Sequence, residues 1–302
     1  MPSGILLLDK PRGLSSNAAL QRVKRALGAD KAGHVGSLDP LATGMLPICL
    51  DEATKIAGEI LAGRKRYEFT VALGSRTSTG DAEGDIVETV PVPVLDVERI
   101  EAVLAAFTGA QRQVPPMYSA LKQGGRPLYE LARRGVTVER AARDITIHAL
   151  ELAGIGEGAL DLAVECSKGT YVRTLAEDLA QALGTAGHVN RLHRVWVEPF
   201  EGMPMQPLDP LLDACRAGKP PPLLPIDRGL PDWPAVTLPD AGIERIRHGQ
   251  TLGAADLPGG ATIIAALPPG SPVRLLDGAG RLVGLGEVTG FSGLRPRRIF
   301  NL

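Results

Sequence analysis

Residues 33–50, GHVGSLDPLATGMLPICL, set one carboxylate, Asp39, inside a turn of glycine, proline and small residues, and follow it with an apolar run from Met45 to Leu50. That run reads as a buried strand, so the turn is a loop anchored on a core element, the arrangement by which proteins present reactive groups. Pro40 biases Asp39 towards an extended backbone, and Gly36 and Gly44 permit conformations or close approaches that a Cβ forbids. His34 stands five residues before Asp39. An Asp-Pro pair serves a turn for structural reasons as readily as it serves chemistry, and the residues alone leave both readings open.

On the amino-terminal side, Ile5 to Leu8 reads as a second buried strand, and Ser15, Ser16 or Asn17 can cap a helix whose apolar residues Leu20, Val23 and Leu27 precede a stop at Gly28. On the other side, Asp51 opens a helix through Ile56 and Ile60 to Gly63. Residues 66–73 alternate strictly, with Tyr67, Phe69, Val71 and Leu73 on one face, as a half-buried strand does. Residues 160–166 alternate in the same way. Val97–Phe107 and Arg173–Leu183 carry helical spacing. A proline-rich stretch from Pro199 to Pro239 reads as a connector with a short helix inside it, and a boundary is expected near Trp233. Beyond it, short apolar segments (TLG, GGATIIAAL, SPVRLLDGAGRLVGLGEV, PRRIFNL) separated by Gly and Pro suggest a small strand-rich barrel.

The composition excludes several classes. With 44% hydrophobic residues and no apolar stretch of the ~20 residues that a membrane helix needs, the chain reads as a globular protein. MPSGILLLDKPRG has no charged region ahead of its apolar run and resembles a strand, not a secretion signal. Cys49, Cys166 and Cys215 form neither a disulfide framework nor a zinc pattern, which favours a reducing cytoplasm. The absence of GxxxxGK[ST], GxGxxG, HExxH and CxxC points to no nucleotide cofactor and no metal. A formal net charge of −1 does not advertise nucleic-acid binding. Basic residues nevertheless cluster at Arg22, Lys24 and Arg25; at Arg64, Lys65 and Arg66; along Lys122–Arg143; at Arg191 and Arg194; and at Arg295, Arg297 and Arg298. Each cluster is a solvated face or part of a phosphate-binding tract.

The Asp39 segment closely resembles the signature of the TruB family, the bacterial tRNA pseudouridine-55 synthases. The resemblance extends over GILLLDKPRGLSSNAAL (4–20), DEATK (51–55), RYEFTVALGSRTSTGDAEGD (66–85), VPPMYSALKQGGRPLYELAR (114–133) and SKGTYVRTLAEDLAQALG (167–184), in the family's order and spacing. It implies an α+β fold: a pseudouridine synthase catalytic domain with a mixed, mainly antiparallel sheet over residues 1–232, and a small β-barrel-like PUA domain over 233–302. Within the first, residues 109–150 resemble an inserted arm that clasps RNA, and 199–232 form the connector. The implied reaction breaks the C1′–N1 bond of a uridine flipped from its stack and joins C1′ to C5 of the same base, so no cofactor is required.

The resemblance also assigns roles. Asp39 becomes the catalytic group. Arg173 becomes its ion-pair partner, holding it ionised and oriented. Tyr67 packs against the flipped uracil, and Tyr171 lies in the substrate pocket. Tyr171 and Arg173 are two residues apart, which on an extended backbone directs both to one face. Leu192 lines the uracil site and His34 contacts the RNA loop. Lys10, Pro11 and Asp81 are assigned to scaffold and substrate support. Two departures stand out: His193 where an arginine is common, and Ser37 where threonine or alanine is more usual. The implied partner is the T-arm stem-loop of tRNA, with no guide RNA and no membrane, for a monomer. A guide-dependent synthase subunit and a non-catalytic RNA-binding or RNA-folding protein share parts of the pattern. The clasping segment speaks against the first, and the Asp39, Tyr67 and Arg173 set against the second.

Overall fold

The computed structural model describes residues 3–257, 261–290 and 293–302. In chain order, β1 (Gly4–Lys10) leads to α1 (Ser16–Leu27), β2 (Ala32–His34) and β3 (Thr43–Leu50). A 3-10 turn (Asp51–Ile56) runs into α2 (Ala57–Ala62), followed by β4 (Lys65–Leu73), β5 (Ser75–Thr77), β6 (Ile86–Thr89), α3 (Val97–Ala106) and β7 (Gly109–Gln113). Next come β8 (Lys122–Gln123), β9 (Arg126–Pro127), α4 (Leu128–Ala132), β10 (Arg143–Gly156), β11 (Ala159–Cys166), α5 (Val172–Ala182), β12 (Gly187–Val197), β13 (Gln206–Pro207) and α6 (Leu208–Arg216). The carboxyl-terminal part holds β14 (Ala235–Thr237), α7 (Asp240–Arg247), α8 (Ala261–Ala265), β15 (Pro272–Leu276), β16 (Leu282–Thr289) and β17 (Gly293–Ile299).

Nine strands form one sheet in the order β13-β1-β3-β12-β4-β11-β10-β7, with β2 on β3. The β1–β13 and β3–β12 pairs are parallel and the other ladders antiparallel, so the sheet is mixed and mainly antiparallel. Strands β1 and β3 are covered on both sides, which is why they read as continuous apolar runs. Leu6, Leu8, Leu46, Ile48 and Leu50 join a core with Ala19, Leu20 and Val23 of α1, Ile100 and Leu104 of α3, Leu175 and Leu179 of α5, and Leu208 and Leu211 of α6. Ile5, Leu7, Met45 and Cys49 enter a second core on the other face, with Ile56, Ile60, Val197 and Phe200.

The second core continues into the carboxyl-terminal part. Leu282, Leu285 and Phe300 belong to it, so that part is seated on the back of the main sheet. Lys55 Nζ donates to the Ile299 carbonyl at 2.7 Å, and the Asn301 N–H donates to Glu52 Oε2 at 2.7 Å. The carboxyl-terminal sheet itself runs β14-β15-β16-β17 over a third core that includes Val236, Ile243, Ile246, Val273 and Leu275.

Several expectations change. Ser15 is the cap of α1, accepting from the Ala18 N–H, while Gly28 ends it in the left-handed region at φ 64. The helix expected from Asp51 to Gly63 divides into a 3-10 turn and a short α-helix, because Asp51 sits at φ 45 and turns the chain sharply off β3. The GGATIIAAL stretch is a short helix over Ala261–Ala265, not a strand, and its two glycines lie outside the described residues. TLG contributes a single bridge, Leu252 to Leu294. Arg173 is the second residue of α5 and not part of a strand, so the two-residue spacing argument fails; Tyr171, at φ −104 and ψ 110, is the extended residue that starts the helix. The ends of the 109–150 segment, β7 and the start of β10, pair with each other at the edge of the main sheet.

Candidate active site

Asp39 lies between β2 and β3, and the loop around it is fixed by buried side chains. Ser16 of α1 accepts from the Leu38 N–H at 2.7 Å and donates to the Leu38 carbonyl at 3.0 Å. Lys10, fully buried at the end of β1, donates to the carbonyls of Pro11 at 2.9 Å, Leu14 at 2.6 Å and Pro40 at 3.5 Å. Gly13 also donates to the Pro40 carbonyl, at 2.7 Å. At Gly44, φ is +97, and a Cβ there would stand 2.3 Å from the Arg194 carbonyl oxygen, so only glycine lets β3 and β12 approach at the loop's far end.

Arg173 reaches Asp39 side-on. Its Nε lies 2.9 Å from Asp39 Oδ2 and its Nη2 donates to Oδ1 at 3.2 Å. The remaining donors are held as well: Nη1 by the Thr79 carbonyl at 2.6 Å and Nη2 by the Tyr118 carbonyl at 2.7 Å. Asp81 Oδ2 is 3.7 Å from Arg173 Nε, while Asp81 Oδ1 accepts from Thr79 at 2.6 Å and from the Glu83 N–H at 3.1 Å. Arg173 is 4% exposed and therefore has one available orientation. Burial pushes the Asp39 carboxyl above the usual carboxylate range; Arg173 pulls it back, Asp81 pushes it up again and Lys10 lowers it.

A cavity of about 600 Å³ opens over this pair, lined by Asp39, Arg173, Tyr67, Tyr171, Leu192 and His34 among others. Tyr67 and Leu192 come from neighbouring strands, β4 and β12, where they are a register pair apart through Phe69. Burial raises the Tyr67 phenol, which stays protonated, and lowers His34, which stays neutral beside the Arg194 charge. His34 Nδ1 is buried without a hydrogen-bond partner among the described residues. Lys10 and Pro11 do not reach this cavity; they line a smaller one, about 280 Å³, with Thr43, His193 and Leu208. His193 bonds Thr43 Oγ1 at 2.8 Å. Asp81 lies behind Arg173, 3% exposed.

Three further residues belong to the site that the sequence assigns to the surface or passes over. Arg194 and Lys65, both expected in solvated basic clusters, are 1% and 4% exposed and line the cavity. Their strand positions carried the signal: Arg194 is two residues from Leu192 in β12, and Lys65 two from Tyr67 in β4. Gln113 grips the Tyr171 backbone in both directions, accepting from its N–H at 2.8 Å and donating to its carbonyl at 3.1 Å. Nothing in a lone glutamine could have foretold that. Arg64 and Arg66 are surface residues but are already paired, with Glu165 and Glu198 and with Glu151.

Residues 24–172 match the family described as TruB family pseudouridylate synthase, N-terminal domain. Residues 173–230 match the tRNA pseudouridylate synthase B C-terminal domain, and 234–300 match Pseudouridine synthase II TruB, C-terminal. The chain is 49% identical to a tRNA pseudouridine synthase B of Aromatoleum aromaticum over 98% of its length and 92% of that protein. With the protein of the same name from Xylella fastidiosa the identity is 46%, over 99% and 96%. Among solved structures, a Cbf5-Nop10-Gar1 complex shares the fold at a TM-score of 0.74 and 23% identity, covering 98% of this chain and 84% of the matched one. An H/ACA RNP bound to a substrate RNA does so at 0.72 and 21%, covering 99% and 85%.

Proposed function

The chain belongs to the TruB family of pseudouridylate synthases, and from that membership we infer that it isomerises uridine to pseudouridine in tRNA, acting at position 55 of the T loop with Asp39 as the essential group. The reaction needs an ionised group at the sugar or the base, a pocket that retains the detached uracil, and room for a nucleotide taken out of its stack. The observation that carries the role of Asp39 is its pairing with Arg173 at 2.9 Å. Burial disfavours the carboxylate, and a guanidinium with every donor group engaged restores it without freedom to swing away.

Tyr67, Tyr171 and Leu192 are the walls against which the flipped uracil packs, and His34 meets the RNA at the rim. Asp81 supports Arg173 from behind, and Lys10 and Pro11 support the turn that carries Asp39. Residues 1–232 form the catalytic domain, 109–150 the arm that clasps the T-arm stem-loop, and 233–302 a PUA-like RNA-binding domain. The chain acts as a monomer without a guide RNA, in the cytoplasm where tRNA is found. Among the described residues no helix is long and apolar enough to cross a membrane.

Replacing Asp39 with asparagine keeps the size and the turn but removes the charge. Turnover of an unmodified tRNA transcript is expected to vanish while tRNA affinity stays near wild type. Pseudouridine mapping and filter binding on the same preparation read both. A rate within tenfold of wild type corresponds to only ~1.4 kcal/mol of barrier and would remove Asp39 from its role.

A further inference from the structure

Arg194 is among the largest fully buried side chains of the molecule, yet it meets no acid. Its Nε donates to the Met45 carbonyl at 2.7 Å, and its Nη2 to the carbonyls of Gly36 at 2.9 Å and Val35 at 3.4 Å. Among the described residues no carboxylate lies within ion-pair distance of it, whereas Arg173 in the same cavity has two. Carbonyl dipoles solvate a cation but leave its charge uncancelled, and burying such a charge is strongly disfavoured. Tying loop carbonyls could have been left to neutral donors. The Arg194 Cζ stands 6.0 Å from the centre of the Tyr67 ring, and the residue lines the cavity.

Lys65 repeats the pattern on the same wall. It is 4% exposed, and its Nζ bonds the carbonyls of Leu61, at 2.6 Å, and Gly63. Burial first, and then the Arg194 charge, push it down to about 8, so two like charges are held within reach of each other. The Asp39 charge is matched by Arg173, so the positive charge of Arg194 and Lys65 is left to act on whatever occupies the cavity.

We propose that Arg194, assisted by Lys65, stabilises the negative charge that collects on the uracil ring when its bond to the sugar breaks, an inference that rests on the isomerase reading above. When C1′–N1 breaks, both bonding electrons stay with the base and spread over N1, O2 and O4. When C5 then bonds to C1′, C5 loses its proton and N1 gains one, so the anion exists only between the two bond changes. A cation fixed beforehand in a cavity that excludes water is the most effective form of stabilisation for such a transient charge.

The test varies the demand for that charge. Single-turnover rates are measured for wild type, Arg194→Met and Lys65→Met on tRNA carrying uridine or 5-fluorouridine at the target, scored as loss of the N-linked nucleoside on digestion. Fluorine makes the departing base a weaker proton acceptor, so it needs less help. Arg194→Met is expected to slow uridine cleavage by about 10²–10³-fold, the usual effect of removing one such group, and to slow 5-fluorouridine cleavage at least ~10-fold less. Lys65→Met should show the same contrast on a smaller scale and decides the matter if the Arg194 variant does not fold. A purely structural role disturbs both bases alike, so equal losses overturn the proposal. A wild-type protein that leaves the uridine transcript unchanged would instead refute the isomerase reading itself.

Discussion

On the proposed function Asp39 acts as a carboxylate, yet it stands where burial disfavours ionisation, a balance that pH should reveal. Its folded-state carboxyl lies above the ordinary carboxylate range, chiefly through burial, with Arg173 the largest opposing influence. With Asp39 as the essential group, the single-turnover rate should fall as pH drops and the carboxyl takes up its proton, along a limb displaced above the range of a free aspartate. Arg173→Gln removes the pull and should move the limb further towards neutrality. A limb that stays put in the variant would mean that Arg173 does not set the charge of Asp39. At this scale the residues alone left the lone acid of the glycine-proline turn open between a structural turn and a reactive group, and it was the resemblance that singled out Asp39. For Arg194 and Lys65 the only sequence signal is their place two residues from Leu192 and Tyr67 in the same strands, and it stands against the usual reading of a strand arginine or lysine as a solvated charge.

The elements differ in how much of their reason is local. The capped helix α1, the alternating strand β4 and the fully apolar strand β1 follow from periodicity and from signals within a few residues. The break at Asp51 and the helical form of Ala261–Ala265 depend on what the chain packs against, and so escaped. The basic clusters also sort at this scale. Arg64, Arg66 and Arg191 are paired with acids, but among the described residues Arg133, Arg134, Arg140 and Arg143, between α4 and the start of β10, have no ion-pair partner. Arg133, Arg134 and Arg143 are exposed. Neutralising all four should weaken tRNA binding strongly and leave single-turnover chemistry at saturating protein much less affected. Each lost phosphate contact should flatten the dependence of log affinity on log salt by roughly 0.7 to 0.9. An unchanged slope in the quadruple variant would withdraw the clasping role from this segment.

Across the whole molecule, the second core joins the two sheets, and Phe300 is the largest of its buried carboxyl-terminal side chains among the described residues. It is 4% exposed, among Ile56, Leu282 and Leu285. Phe300→Ala should lower stability by about 3–5 kcal/mol, measured by urea unfolding, as the loss of a buried phenyl does. A loss under ~1 kcal/mol would show that the carboxyl-terminal sheet is held by its own core alone. A boundary near Trp233 was an expectation open to the sequence, from its prolines and short apolar segments. That the two parts share a core was not, because Phe300 and Ile56 are too far apart in sequence for any local pattern to join them.

The seal made by residues 299–301 also has an order in time. The turn that carries Asp39 is held by Lys10 of β1 and runs into β3, and these strands emerge from the ribosome well before the carboxyl-terminal sheet, with the 3-10 turn directly behind them. Their rear surface, including Ile5, Leu7 and Ile56, is completed only when residues 299–301 have been synthesised and Phe300 can reach it. Until then the nascent protein carries a wet apolar back behind the turn that holds Asp39, and strands made early wait for a segment made much later.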